Sequence, residues 1–214
     1  MHIEELASNL TAAVAALGIS TFVVADDRTI SEFTELSIAN GISAHVMCDD
    51  VPRLTSPDDL TDLEIVEKNG ELTLINHSEW LWGDHKPVKL VIYTNQHIED
   101  VTAVNGTKLT LSECAVSPDA MRVRGQMGTL LHVAGETEQL DLEIGMGAAF
   151  NDDDVILKAQ QVNLRAAMGA YANLCHAEQI HGSLSAGAKL DHGRHTDLEV
   201  NADFGTATSS RDCL

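Results

Sequence analysis

The segment MRVRGQMGTLL at 121–131 returns as LDLEIGMGAAF at 140–150, VNLRAAMGAYA at 162–172, IHGSLSAGAKL at 180–190 and LEVNADFGTAT at 198–208. Its anchor is a Gly followed by Thr or Ala: Gly106-Thr107, Gly128-Thr129, Gly147-Ala148, Gly169-Ala170, Gly187-Ala188 and Gly205-Thr206, at intervals of 22, 19, 22, 18 and 18 residues. Seven positions before the last five glycines stand Met121, Leu140, Val162, Ile180 and Leu198. Five positions before them stand Val123, Leu142, Leu164, Gly182 and Val200, and three after them Leu131, Phe150, Ala172, Leu190 and Thr208. Apolar residues alternate with polar ones inside each unit, which is the period of a half-buried strand, and the Gly marks a constrained corner. Units this short cannot hold a helix and two strands. They suit one coil of a β-solenoid, in which equivalent positions stack as ladders. The sequence therefore predicts an all-β fold, a β-solenoid, with regular rungs over 98–210. A β-sandwich would not keep this register over six units.

Working outward, the stretch 28–97 carries strand-like runs at Thr34–Ile38, Ile42–Met47, Leu63–Val66, Glu71–Ile75 and Val88–Tyr93. Turn-rich segments separate them, so this part reads as irregular coils at one end of the same domain, 28–214. Residues 1–27 read as a separate cap. Ile3, Leu6, Leu10, Val14 and Leu17 share one helical face, Glu4 and Glu5 suit a first turn, and Gly18 suits a C-cap. The sequence thus predicts an N-terminal amphipathic helix that covers an exposed solenoid end. The competing reading is a signal peptide cleaved after Val23-Val24-Ala25, against which stands the acidic start His2-Ile3-Glu4-Glu5. The apolar run Leu10–Ala25 is too short to span a bilayer.

Composition fits a solenoid. Aromatics make up 4% of the 214 residues, and a narrow lumen is best filled by Leu, Val, Ile, Met and Ala. A formal charge of -20, with 13 basic against 33 acidic residues, argues against nucleic acid or an anionic membrane as partner. It also disfavours a lyase for acidic polymers, because Arg122, Arg124, Arg165 and Arg194 are dispersed. No Gly-x-Ser-x-Gly, phosphate loop or His-Glu-x-x-His occurs.

The order Phe33-Thr34-Glu35-Leu36, Asn40-Gly41-Ile42, Gly70-Glu71-Leu72-Thr73-Leu74, an insert with Trp80 and Trp82, Pro87–Thr94, then Gly-centred repeats resembles the head GIN domain family. That family is described as putative auto-transporter adhesins, and the resemblance spans about residues 28–210. Where its members repeat Ser-Gly-Ser-Gly-Asp, this chain has Gly-Met-Gly-Ala, Ala-Met-Gly-Ala and Ser-Ala-Gly-Ala. The resemblance implies a right-handed β-helix in an exported or envelope-associated bacterial protein with no established catalytic activity, and it supplies no catalytic residues to transfer.

Three groups are candidates for function. Asn151, Asn173, Asp191 and Ser209 each follow a repeat Gly by four residues and should form a polar ladder with a spacing of about 4.8 Å. With Asp152, Asp153 and Asp154 the ladder is oxygen-rich, a donor type that suits Ca²⁺; its plain alternative is turn-amide satisfaction. Cys175, His176, His192, His195 and Cys213 fall late in successive coils, and Cys/His sets suit Zn²⁺ or Cu. On that layout Cys175 and Cys213 lie two rungs, about 10 Å, apart, so free thiols are expected. Trp80 and Trp82 read either as packing residues or as an aromatic contact for a glycan or protein.

The resulting expectation is a non-catalytic interaction module of the cell envelope or surface, with no cofactor, contacting a protein or glycan. A self-assembling subunit is the alternative reading, and a glycan-active β-helix enzyme comes third. A cytoplasmic location is the alternative to export.

Overall fold

The computed structural model describes residues 26–78 and 87–213. The N-terminal helix expected within 1–27 lies outside these residues except for 26–27, and those two begin a strand. The chain runs through β1 (Asp26–Thr29), β2 (Glu35–Ala39), β3 (Ile42–Cys48), β4 (Arg53–Ser56), β5 (Leu63–Lys68), β6 (Glu71–Asn76) and β7 (Val88–Thr94). It continues with β8 (Asp100–Val104), β9 (Lys108–Leu111) and a short 3-10 turn at Glu113–Ala115. The regular rungs follow as pairs: β10 (Ala120–Gln126) with β11 (Leu130–Val133), β12 (Gly135–Gly145) with β13 (Ala149–Phe150), and β14 (Leu157–Ala166) with β15 (Tyr171–Leu174). The last two pairs are β16 (Ala177–Leu184) with β17 (Lys189–Gly193), and β18 (Asp197–Ala202) with β19 (Ala207–Arg211).

These strands make two facing sheets of a β-solenoid. One is ordered β1-β4-β7-β3-β9-β11-β13-β15-β17-β19, the other β18-β16-β14-β12-β10-β8-β2-β6-β5. The columns expected from the repeat are paired residue for residue. Met121 opposes Leu140, Leu140 opposes Val162, Val162 opposes Ile180, and Ile180 opposes Leu198. Leu131, Phe150, Ala172, Leu190 and Thr208 stack likewise in the other sheet. Apart from Thr208, which is exposed at the last rung, side chains of both columns point into one continuous core, where each buried aliphatic contributes roughly 1.5–3 kcal/mol. Burial is complete at Leu140, Val162 and Ile180 but only partial at Leu198 and Val200, so the core opens at the β18–β19 end.

The 26–94 region stacks out of chain order. The coil β2–β3 sits in the middle. The next segments, through β6 and β7, pair on one side of it, and β8 and β9 return to pair on the other. Antiparallel strands then close that far end, β4 on β7, β1 on β4 and β5 on β6. Strand β4 lies inside the segment that reads as turn-rich in the sequence.

The corners are two-residue turns with both central φ values positive, as in a type I′ turn. Met146 (φ 50) and Gly147 (φ 72) form one, closed by Ala148 N–H donating to Gly145 C=O at 3.1 Å. Met127, Met168 and Ala186 occupy the same left-handed position in their rungs, as do Asn40 and Asn105 earlier. Asn tolerates this region, whereas for Met or Ala it costs about 1 kcal/mol.

Both cysteine pairs are closed. Cys48 bonds Cys114, with Cα atoms 6.2 Å apart, and Cys175 bonds Cys213 at 5.6 Å. The expectation of free thiols is therefore overturned. Cys175 and Cys213 do flank an intervening rung, but the chain after Arg211 folds back across Gly193. A side chain there would meet Cys175 C=O at 2.6 Å and Cys213 Sγ at 3.4 Å, so Gly193 leaves the space through which the bond crosses.

Candidate functional site

The C-terminal corner gathers most of the polar candidates. Asn173 pairs with Asp191 and Asp191 with Ser209, while Asn151 follows Phe150, the partner of Ala172. Within this column the side chains do different work. Asn151 is buried, and its amide takes the place of a missing strand: Oδ1 accepts from Val133 N–H at 2.7 Å and Nδ2 donates to Val133 C=O at 2.9 Å. Asn173 Oδ1 accepts from Cys175 N–H at 3.2 Å, an Asx turn that sets the start of the disulfide, and Nδ2 donates to Asp153 at 3.0 Å. Ser209 is exposed.

Arg211 ties these rungs together. Its guanidinium donates to both Asp153 oxygens at 2.8 and 3.1 Å, to Tyr171 Oη at 3.0 Å and to Asp191 Oδ2. Tyr171 in turn donates to Asp191 at 2.7 Å. Burial, and then the neighbouring Asp191 carboxylate, push the Tyr171 phenol up to about 12. Partial burial opposes the charge on Arg211, but Asp191, Tyr171 and Asp153 outweigh it and hold the guanidinium above its usual range. Sequence reading missed both residues. The signal was present for Tyr171, one position before the Ala172 column, but Arg211 is 58 residues from Asp153 and no spacing announces it.

The same corner holds the side chains read as possible cation ligands. Asp153 faces Arg211 and Asp152 faces His132 at 3.2 Å, while Asp152 also accepts from Asp154 N–H at 3.1 Å. Two of the three carboxylates expected to offer oxygens to Ca²⁺ thus face side chains of the protein itself, Asp153 the Arg211 guanidinium and Asp152 the His132 ring. The Cys/His set is changed more deeply. Cys175 and Cys213 come together as a disulfide, which has no thiolate to give a metal. His192 Nδ1 lies 2.9 Å from Gly193 C=O, whereas His176 and His195 line an open depression of about 680 Å³ beside the disulfide. Among the described residues, no three His, Cys, Asp or Glu side chains converge in a metal-binding group. Trp80 and Trp82 lie outside the described residues.

The second sheet offers a different surface. Its outward columns run in register along the solenoid: Gln139, Gln161 and Gln179 in one, and Arg122, Asp141, Asn163, His181 and Glu199 in the next. Arg122 bridges Asp100 and Asp141, and Arg124 reaches Asp100 at 2.8 Å, so acidic and basic rungs neutralise each other along the row. Such exposed pairs contribute little stability and leave a flat, hydrogen-bonding face. No helix among the described residues is long and apolar enough to cross a membrane.

The fold is shared with solved structures of low sequence identity. A putative adhesin from Bacteroides fragilis NCTC 9343 superposes with a TM-score of 0.66 at 10% identity, covering 88% of this chain and 96% of that one. A putative adhesin from Parabacteroides merdae ATCC 43184 gives 0.52 at 10% identity, covering 87% and 95%. A putative lipid binding protein from Parabacteroides distasonis ATCC 8503 gives 0.51 at 11% identity, covering 88% and 94%. No family model matches the sequence, and no curated protein matches it either.

Proposed function

We propose that this chain is a non-catalytic interaction module of the head GIN type, exported to the bacterial envelope or surface. The observation that carries this reading is the closure of both cysteine pairs, because structural disulfides persist in oxidising compartments and are rare in the cytosol. The adhesin-type fold and the flat ladder of Gln, Asn, Arg and acidic side chains support it further. Such a face suits the hydroxyls of a glycan or the polar rim of a protein, and Trp80 and Trp82 are the proposed aromatic contacts. Non-reducing fractionation of cells should find the protein outside the cytoplasm without free thiols. Glycan and surface-protein arrays should show binding that drops in Trp80→Ala and Trp82→Ala; binding that survives both changes removes the aromatic contact. A reduced cytoplasmic protein overturns the module's proposed location.

A second reading, a self-assembling subunit, is favoured by one observation. Among the described residues, strands β18 and β19 end their sheets with no further strand beside them, over a core that is only partly closed. Sedimentation over a wide concentration range tests it, and a monomer throughout rejects it.

A further inference from the structure

The corner column of the solenoid changes its chemistry along the axis. At Asn40 and Asn105 the left-handed position is held by asparagines, and Asn105 Nδ2 donates to Asn40 Oδ1 at 2.9 Å. The next three rungs place Met127, Met146 and Met168 there, at φ 58, 50 and 51, exposed by 43, 44 and 52%. The turns are locked to one another: Gly106 N–H donates to Met127 C=O, Gly128 N–H to Met146 C=O and Gly147 N–H to Met168 C=O, all at 2.9–3.0 Å. The three methionine side chains thereby leave the backbone on adjacent rungs, at the strand spacing of about 4.8 Å. Met168 leans back along the axis, since a side chain on Gly145, next to Met146, would stand 3.8 Å from its terminal methyl.

Neither folding nor solubility explains this choice. Asn or Gly fits the left-handed corner better, and a polar residue would suit the exposure. What Met adds is an unbranched, flexible, polarizable sulfur donor. Three neutral thioethers at one edge, each able to swing toward its neighbours, form a donor set that selects a soft monovalent cation over Zn²⁺ or Ca²⁺. We propose that Met127, Met146 and Met168 bind a single d¹⁰ ion, Cu⁺ or its analogue Ag⁺, by thioether coordination alone. The strongly acidic chain raises the local concentration of such a cation. No electron is transferred and no proton is released, because a thioether has none to lose.

The test titrates the full chain with Ag⁺ in chloride-free buffer and follows the methionine methyl resonances. One equivalent should shift the methyls of Met127, Met146 and Met168 and leave those of Met47 and Met121 in place. The affinity should not vary between pH 5 and 8, which distinguishes the site from the imidazoles of His176, His192 and His195. Met146→Leu keeps the apolar volume and removes the sulfur, and it should abolish tight binding. Met146→Asn fits the corner at least as well as Met and should lose the ion while retaining a folded thermal transition. Anaerobic competition for Cu⁺ against a chelator should rank the variants in the same order. Unmoved methyls, an affinity that follows histidine titration, or undiminished binding in the triple Met→Leu variant each overturn the proposal. In the last case the stripe is an apolar contact rather than a ligand set.

Discussion

The two halves of the solenoid solve the same stacking problem in different ways. From β8 to β19 each coil is laid on the one before, so every pairing is parallel and every column can be followed rung by rung. Between β1 and β7 the chain first builds the central coil β2–β3, then covers it outward and turns antiparallel at the end. The far end is thus closed by hairpin pairing and by polar contacts. Glu67 accepts from Ser31 N–H and pairs with Arg28, and Arg53 lies 3.9 Å over Tyr93 while bonding Asp49 at 2.8 Å. Among the described residues the β18–β19 end has no such closure and is held by a disulfide and the Arg211 node. One end is sealed by topology, the other is tied by side chains.

The largest expected effect that probes this contrast lies in the regular half. Gly182 has φ 146, and an added Cβ would stand 1.9 Å from Leu164 C=O. Gly182→Ala should cost on the order of 4 kcal/mol or more and detach the last rungs, measured as lost amide protection in β16 to β19. In the irregular half Gly41 meets nothing within 4 Å, so Gly41→Ala should cost only the positive-φ strain, about 1 kcal/mol. Equal effects would remove the distinction.

Next come the disulfides, which close 66 and 38 residues and should each contribute about 4 kcal/mol by chain entropy. Cys48→Ser loosens the link between central coil and β9 and should lower the global melting transition. Cys175→Ser should fray β18 and β19 first, read as early exchange confined to those strands. A pH series separates the ends further. Asp49 is held below the usual carboxylate range by its hydrogen bond from Arg53, and Glu67 by its bonds from Ser31. Depressed folded values mean stability that is present above the ordinary carboxylate range and lost on acidification, so acid should loosen the β1–β7 end first. Tyr171 is raised from 10.0 to about 12, so its contribution is complete below pH 10 and fades between those values, at the other end. The smallest effect is expected at Ala186, whose φ of 49 favours Asn; Ala186→Asn should stabilise by about 0.5–1 kcal/mol in denaturant titration.

How far the sequence could be read follows from the same contrast. Met121, Leu140, Val162, Ile180 and Leu198 announce their own stacking because consecutive coils repeat at nearly constant length. The N-terminal strand runs were legible as strands, yet their order was not: β7 joins β3 across the 39 residues from 49 to 87, which leaves no period to detect. The polar column at Asn173, Asp191 and Ser209 was legible by register alone. Its partners were not, since Arg211 at the end of β19 meets Asp153 from the turn after β13, 58 residues earlier. The fold-back after Arg211 defeated the distance argument for Cys175 and Cys213, which measured along straight rungs and took no account of the passage over Gly193.

The two disulfides also change what a pull on this molecule would do. Tension applied at the two ends of the chain would bypass everything enclosed by Cys48–Cys114, so the coils from β4 to β9 could not pay out. That withholds 66 residues, roughly 220 Å of contour, with 38 more held back behind Cys175–Cys213. An oxidised molecule under load would stop extending about 350 Å short of a reduced one, which could unspool along its whole length.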